Sequence, residues 1–255
     1  MGVLLKFIWG LLLIGLGLPS CTHYYYSPGS HNVPLFERKG QATVSGIAGG
    51  NKQIEIQAAA AFTNHFAASY NYYQCKRIWD INDLFGGDYL YSGANKGHLH
   101  EGGIMYYRTW KKIFPFEVHT NYAGGSVFNK YEYGNSKMNI HKWSFQTTLG
   151  FRNKNKELAF SCRTGRINFT NIQIQGFYDI NEEETKDLFY VKDNPTSWVL
   201  EPAFTGRAGY QFASLQLQIG WSFNLNNPHL KQIRSYLRAG LIFRLNRKKE
   251  GNSIY

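Results

Sequence analysis

The feature that most limits what this chain can fold into is a strict alternation of residue character. Positions 215–223 read Leu-Gln-Leu-Gln-Ile-Gly-Trp-Ser-Phe, with large apolar side chains at odd positions and polar residues or glycine at even ones. Successive side chains of a β-strand point to opposite faces, so a period of two marks a strand whose faces meet different surroundings. The pattern recurs at 41–48, 53–62, 66–74, 100–110, 116–124, 140–152, 157–166, 198–210 and 236–245, which makes ten stretches. Tyr 18, Phe 18 and Gly 26 against Pro 7 suit strands and tight turns. Pro202 falls inside one stretch and cannot donate to a ladder, so it predicts a bulge or local break.

The connections alternate too. Those at 63–65, 111–113, 153–156 and 211–213 are short, whereas 75–99, 125–139, 167–197 and 224–235 are long; on the long side only the first hairpin, through Gly49-Gly50-Asn51, is short. Short turns at one end and long loops at the other are the pattern of outer-membrane barrels. The expected fold class is therefore all-β, an up-and-down antiparallel transmembrane β-barrel of about ten strands, with eight as the alternative. An even strand number places both termini at the short-turn end.

Alternation alone does not say which face is outside. Ten strands would put about 45 side chains on the apolar face, many of them Phe, Tyr, Trp or Leu; a barrel near eight strands is just wide enough to be filled by its side chains, so this set would overfill the bore. The apolar face is thus expected outward and the polar face inward. The inward set then carries Glu55, Glu101, Glu117 and Glu201 with Arg163, Arg207, Arg238 and Arg244. Buried charges need partners, so these eight are expected to form an ion-pair network in the lumen. Trp110, Trp143, Trp198 and Trp221 fall on the outward face and suit aromatic girdles.

The first residues read as a targeting segment. An apolar run at 3–18 containing Lys6 is too short to favour a spanning helix, and it ends Leu18-Pro19-Ser20-Cys21. That ending resembles a bacterial lipobox, with Pro19 a departure from the usual small residue. It implies cleavage before Cys21 and acylation of that cysteine, palmitate included; a plain secretory signal is the alternative. The division is then 1–20 signal peptide, 21–39 polar and aromatic periplasmic tether, 40–246 barrel and 247–255 polar tail. Cys75 and Cys162 lie in different strands and are expected as free thiols. The net charge of +11 comes from dispersed Lys and Arg, which suits an anionic membrane surface and not nucleic acid.

Val33-Pro34-Leu35-Phe36-Glu37-Arg38-Lys39-Gly40, followed by Ile56-Gln57-Ala58-Ala59-Ala60-Ala61-Phe62, resembles a group of uncharacterised outer-membrane lipoproteins of Bacteroidota. The resemblance covers most of the chain beyond Cys21 and implies no catalytic residues. In that phylum an acidic run after the cysteine is linked to surface export. None follows Cys21, so the resemblance implies an anchor in the periplasmic leaflet. The strand with Gly240, Leu241, Phe243 and Leu245 resembles a barrel C-terminal signal.

Candidates for chemistry are few. Asp80, Asp83 and Asp88 share a loop region with His98 and His100, and a carboxylate-oriented histidine is the minimum for acid–base work. His98 and His100, two apart in a strand, also share a face on which a metal could be held. His119 accompanies Glu117 on the polar face as a structural pair. Residues 179–187 are an acidic patch without the spacing of a calcium loop. No phosphate loop, dinucleotide fingerprint or serine elbow is present. Neither cofactor nor metal is expected. The preferred reading is a non-enzymatic, lipid-anchored outer-membrane barrel, structural or accessory, with outer-membrane lipid and other envelope proteins as partners. The alternatives are a barrel protease or lipid hydrolase using the loop Asp and His, and a soluble lipocalin-like binder of an apolar ligand.

Overall fold

The computed structural model describes residues 25–50, 52–79, 93–111, 113–131, 134–153, 155–176, 182–210 and 212–246. Cys21, the aspartates at 80, 83 and 88, and the tail 247–255 lie outside the described residues. The strands are β1 Gln41–Gly49, β2 Gln53–Ala61, β3 Phe66–Trp79, β4 Gly93–Trp110, β5 Phe114–Lys130, β6 Asn135–Asn153, β7 Lys156–Gln175, β8 Thr196–Gly209, β9 Ala213–Trp221, β10 Phe223–Asn224 and β11 Ser235–Asn246, with one helix, α1 Glu182–Asp193, between β7 and β8. Each long strand pairs antiparallel with the next. β9 pairs with β11, β11 with β1, and β8 with β9, so ten strands close into a barrel; β10 is a two-residue pairing beyond the end of β9.

All ten expected strands are present, and β3 to β7 run well past their expected ends on the long-loop side. The connection expected at 125–139 is mostly strand and shrinks to a short turn after Lys130. The one expected at 167–197 is strand as far as Gln175 and then the helix α1. Pro202 sits in unbroken register opposite Cys162 of β7. The break appears on its other side: the ladder lapses between Ala203↔Gly220 and Leu200↔Phe223, where a missing N–H costs nothing.

The long strands pass through two zones. In the lower zone apolar side chains face out: Trp143, Phe145 and Leu149 on β6, Leu158 and Phe160 on β7, Leu241 and Phe243 on β11 are exposed. Their inward neighbours Lys142, Ser144, Gln146, Ser161, Arg163 and Arg238 are buried. That contiguous exterior is far larger than a water-exposed surface sustains, and it is what a hydrocarbon phase covers. Beyond it, towards the long loops, the phase inverts. Leu99, Val127, Met138, Ile140, Ile167 and Phe169 point inward and are buried. Lys96, Lys137 and Asn139 face out. This upper collar packs like a water-soluble domain, capped inside by Leu188 and Val191 of α1 and by Leu230. The expectation of a polar lumen throughout is thus corrected: the polar bore belongs to the lower zone, and an apolar core fills the collar.

A soluble lipocalin-like barrel with an apolar bore is ruled out by the lower zone, where the arginines and glutamates are inside and the rings outside.

Candidate functional site

The lumen is occupied by the chain's own residues 25–36, expected to form a periplasmic tether outside the barrel. They are a strap threaded along the bore. Prolines 28 and 34 favour an extended path and carry no N–H to be satisfied. At the long-loop end Tyr25 N donates to Lys231 O at 2.8 Å, and Ile233 N donates to Tyr26 O at 3.1 Å. At the short-turn end Phe36 N donates to Glu117 Oε1 at 3.2 Å, and Thr109 Oγ1 donates to Phe36 O at 3.0 Å. The two ends of the strap therefore lie at opposite mouths, and the chain runs down the bore before turning into β1. Only the end of β11 keeps the expected terminus at the short-turn side.

Between the ends, barrel side chains hydrogen-bond the strap's peptide groups. Arg238 donates to Pro28 O, and Arg163 Nη2 to Gly29 O at 2.8 Å. Ser30 N donates to Glu55 Oε2 at 2.9 Å, and Gln57 Nε2 returns a bond to Ser30 O at 3.1 Å. Gln218 brackets His31, accepting from its N at 2.8 Å and donating to its O at 3.1 Å. Gln146 Nε2 donates to Asn32 O at 2.9 Å, and Arg152 to Leu35 O. A buried strand with no sheet partner would leave its backbone polar groups unmet at a cost of several kcal/mol, roughly 1–3 for each; the inward Gln, Glu and Arg meet them. Leu35 adopts φ 56, a left-handed conformation bulky residues avoid, as the strap turns towards the mouth.

The eight predicted lumen charges all lie on the inner side, seven of them in three groups. Arg163 Nε binds Glu201 at 2.6 Å and Nη1 lies 3.9 Å from Glu101. Arg238 binds Glu55 at 2.5 Å. Arg207 lies 3.3 Å from Glu157, which also takes Arg244 and Arg152. Glu117 has no arginine among the described residues; it holds the strap's Phe36 and lies 3.5 Å from His119 Nε2. Lys142, Glu157 and Tyr26 join these groups beyond the eight charges expected from the sequence. Lys142 Nζ donates to Glu201 at 2.8 Å and to Tyr26 Oη at 2.6 Å, while Tyr26 Oη donates to Glu201 at 2.7 Å. Lys142 sits between the outward Trp143 and His141, so its phase alone could have marked it as inward.

The candidate catalytic pair lies elsewhere. His98 and His100 face outward on β4, ring centroids 5.8 Å apart, and His100 Nδ1 is bonded to Tyr70 Oη at 2.7 Å. Among the described residues no cluster of three or more His, Cys, Asp or Glu could hold a metal. In the acidic patch, Asp187 is bound to Lys231 at 2.8 Å and His229 at 3.2 Å. Cys75 faces the collar core and Cys162 the outer face, and neither forms a disulfide among the described residues.

No family model matches the chain, and no curated protein matches it. Among solved structures, the translocator domain of autotransporter NalP from Neisseria meningitidis aligns with a TM-score of 0.41 at 9% identity, over 80% of this chain and 86% of that one. LpxR from Salmonella typhimurium aligns with a TM-score of 0.38 at 8% identity, over 80% and 99%. The NanC porin aligns with a TM-score of 0.36 at 15% identity, over 80% and 100%. The ten-stranded closure itself rests on the strand pairing of this chain.

Proposed function

We propose that the protein is a sealed, lipid-anchored β-barrel of the bacterial outer membrane with a structural or accessory role in the envelope. The observation that carries this reading is the strap: residues 25–36 lie along the bore and are bonded to its side chains from one mouth to the other, which supports a barrel closed to solutes. The outward apolar zone, bordered by Trp110 at the short-turn side and by Trp143 and Trp198 at the other, supports the membrane part of the reading. Anchoring through an acylated Cys21 is carried over from the lipobox. The strap bears on which leaflet that anchor would occupy. Tyr25 stands at the long-loop mouth, and four residues of chain reach at most about 14 Å. That reach supports an anchor on Cys21 in the leaflet beside the long loops in place of the periplasmic one. An epitope inserted before Tyr25 should be labelled on intact cells whenever one inserted at 80–92 is; labelling of the loop alone would refute this.

Planar-bilayer recording tests the seal. The intact chain should give no stable conductance, whereas a variant lacking residues 25–36 should either open a channel or fail to close as a barrel. A steady pore in the intact chain would overturn the proposal.

A further inference from the structure

Where the lower zone gives way to the collar, the outward side of β3–β6 is built differently from the rest of the belt. Direct register sets Tyr70, Gly102, Tyr122 and Trp143 side by side on four adjacent strands. One step higher the row is Tyr72, His100, Gly124 and His141. Each row thus carries a glycine between rings. A Cβ at Gly102 or Gly124 would meet nothing within 4 Å, so both glycines floor open notches. The walls are fixed in the same way on both sides: Tyr70 Oη bonds His100 Nδ1 and Tyr122 Oη bonds His141 Nδ1, each at 2.7 Å.

Two steps above, the register row is Lys76, Lys96, Phe128 and Lys137. Lys96 lies four residues beyond His100, about 13 Å along the strand. Lys76 and Lys96 stand directly opposite each other, an arrangement that destabilises a sheet unless an anion relieves it. Among the described residues no carboxylate pairs with Lys76, Lys96 or Lys137. Apolar walls with a bare floor, a Tyr–His band and then unpaired ammonium groups follow the order of an acyl chain, an interface and a charged headgroup.

We propose that this face of β3–β6 binds one anionic, phosphate-bearing lipid of the surrounding leaflet. The lysines hold the headgroup and an acyl chain lies along the notches at Gly102 and Gly124. The proposal rests on the membrane reading above, and His98 and His100, considered for catalysis, become part of the interface band. A freely diffusing anion would use the lysines and leave the notches without a role.

The test is native mass spectrometry of the delipidated full chain in detergent, titrated with phosphatidylglycerol, with a bisphosphorylated glucosamine-disaccharide lipid, and with phosphatidylethanolamine. One or both anionic lipids should bind at least about tenfold more tightly than the zwitterionic one. The triple variant Lys76→Gln, Lys96→Gln, Lys137→Gln should abolish that preference, and Gly102→Leu should weaken binding of the intact lipid severalfold. Heat-modifiable gel mobility, unchanged in both variants, separates loss of the site from loss of the barrel. Equal binding of all three lipids, a preference that survives the triple variant, or equally tight binding of the tail-less headgroup glycerophosphoglycerol would overturn the proposal. Loss of the seal in bilayers would refute the proposed function without bearing on these outcomes.

Discussion

The lower barrel and the upper collar are made of the same strands with opposite phase. On β6, Trp143 and Phe145 look out and Lys142 and Ser144 look in, yet a few residues earlier Met138 and Ile140 look in and Lys137 and Asn139 look out. On β7, Phe160 is outside, whereas Ile167 and Phe169 are buried inside. The register of β6 on β5 runs unbroken through the crossing; what changes is the solvent. Where hydrocarbon surrounds the barrel, burial of apolar surface happens on the outside and the interior must satisfy polar groups. Where water surrounds it, the ordinary rule returns and an apolar core forms within. The strap obeys both: Tyr25 and Tyr26 join the collar core, and Gly29 to Asn32 bond to the charged bore.

The largest effect separating the zones should come from their ion pairs. Glu201 is fully buried and pairs with both Arg163 and Lys142. Glu201→Gln leaves two buried cations facing each other and should cost about 3–5 kcal/mol, measured as urea stability in detergent or as loss of the heat-modifiable band. Asp187→Asn breaks the Lys231 contact at the collar rim, where both side chains stay partly wet. It should cost about 1 kcal/mol or less. Comparable losses at the two sites would mean the bore is hydrated and the contrast between zones is wrong.

A second contrast uses the outer face. Leu241 lies midway along the outward row of β11, 47% exposed. Leu241→Arg should destabilise the barrel in bilayers by about 2–4 kcal/mol, because a charge there meets hydrocarbon. Asn139→Arg, outward on the collar part of β6, should stay within about 0.5 kcal/mol. Folding titrations in lipid vesicles decide this. A tolerated arginine at 241 would move the membrane boundary or remove it.

The two zones also explain what was legible in the sequence. All ten strands could be found because each crosses the lower zone, where Leu215, Leu217 and Ile219 alternate with Gln216 and Gln218 without interruption. The polar bore was legible for the same reason: Glu55, Arg163, Glu201 and Arg238 hold the inward phase of strongly patterned strands. The collar was not, because there the apolar residues switch to the other phase. Ile167 and Phe169 then look like an interruption of β7, and Val127 and Met138 like loop. The strap was invisible to periodicity altogether. An extended segment bonded to side chains on every side has no repeating inner and outer face, so residues 25–36 carry no period. What it does carry is a surplus of tyrosine with two prolines, a composition that fits an irregular buried path as well as a solvated tether.

An effect smaller than those of Glu201→Gln and Leu241→Arg tests whether the strap belongs to the bore's charge network or only passes through it. Tyr26 Oη donates to Glu201 and accepts from Lys142, so one hydroxyl ties the strap into the group around Arg163. Tyr26→Phe keeps the ring, which packs in the collar core, and removes only that link. Glu201 and Lys142 still hold each other at 2.8 Å, so no charge is stranded. The expected cost is therefore that of a buried hydrogen bond to charged groups, about 1.5–3 kcal/mol, below that of Glu201→Gln. The double variant makes the point sharper. If the hydroxyl acts through Glu201, Tyr26→Phe should cost much less in the Glu201→Gln background than alone, a coupling of at least about 0.5 kcal/mol. Strict additivity would mean the strap is held by its backbone bonds to Arg163, Gln218 and Gln146 without help from the ion pairs, and the junction between the zones would then be mechanical and not electrostatic.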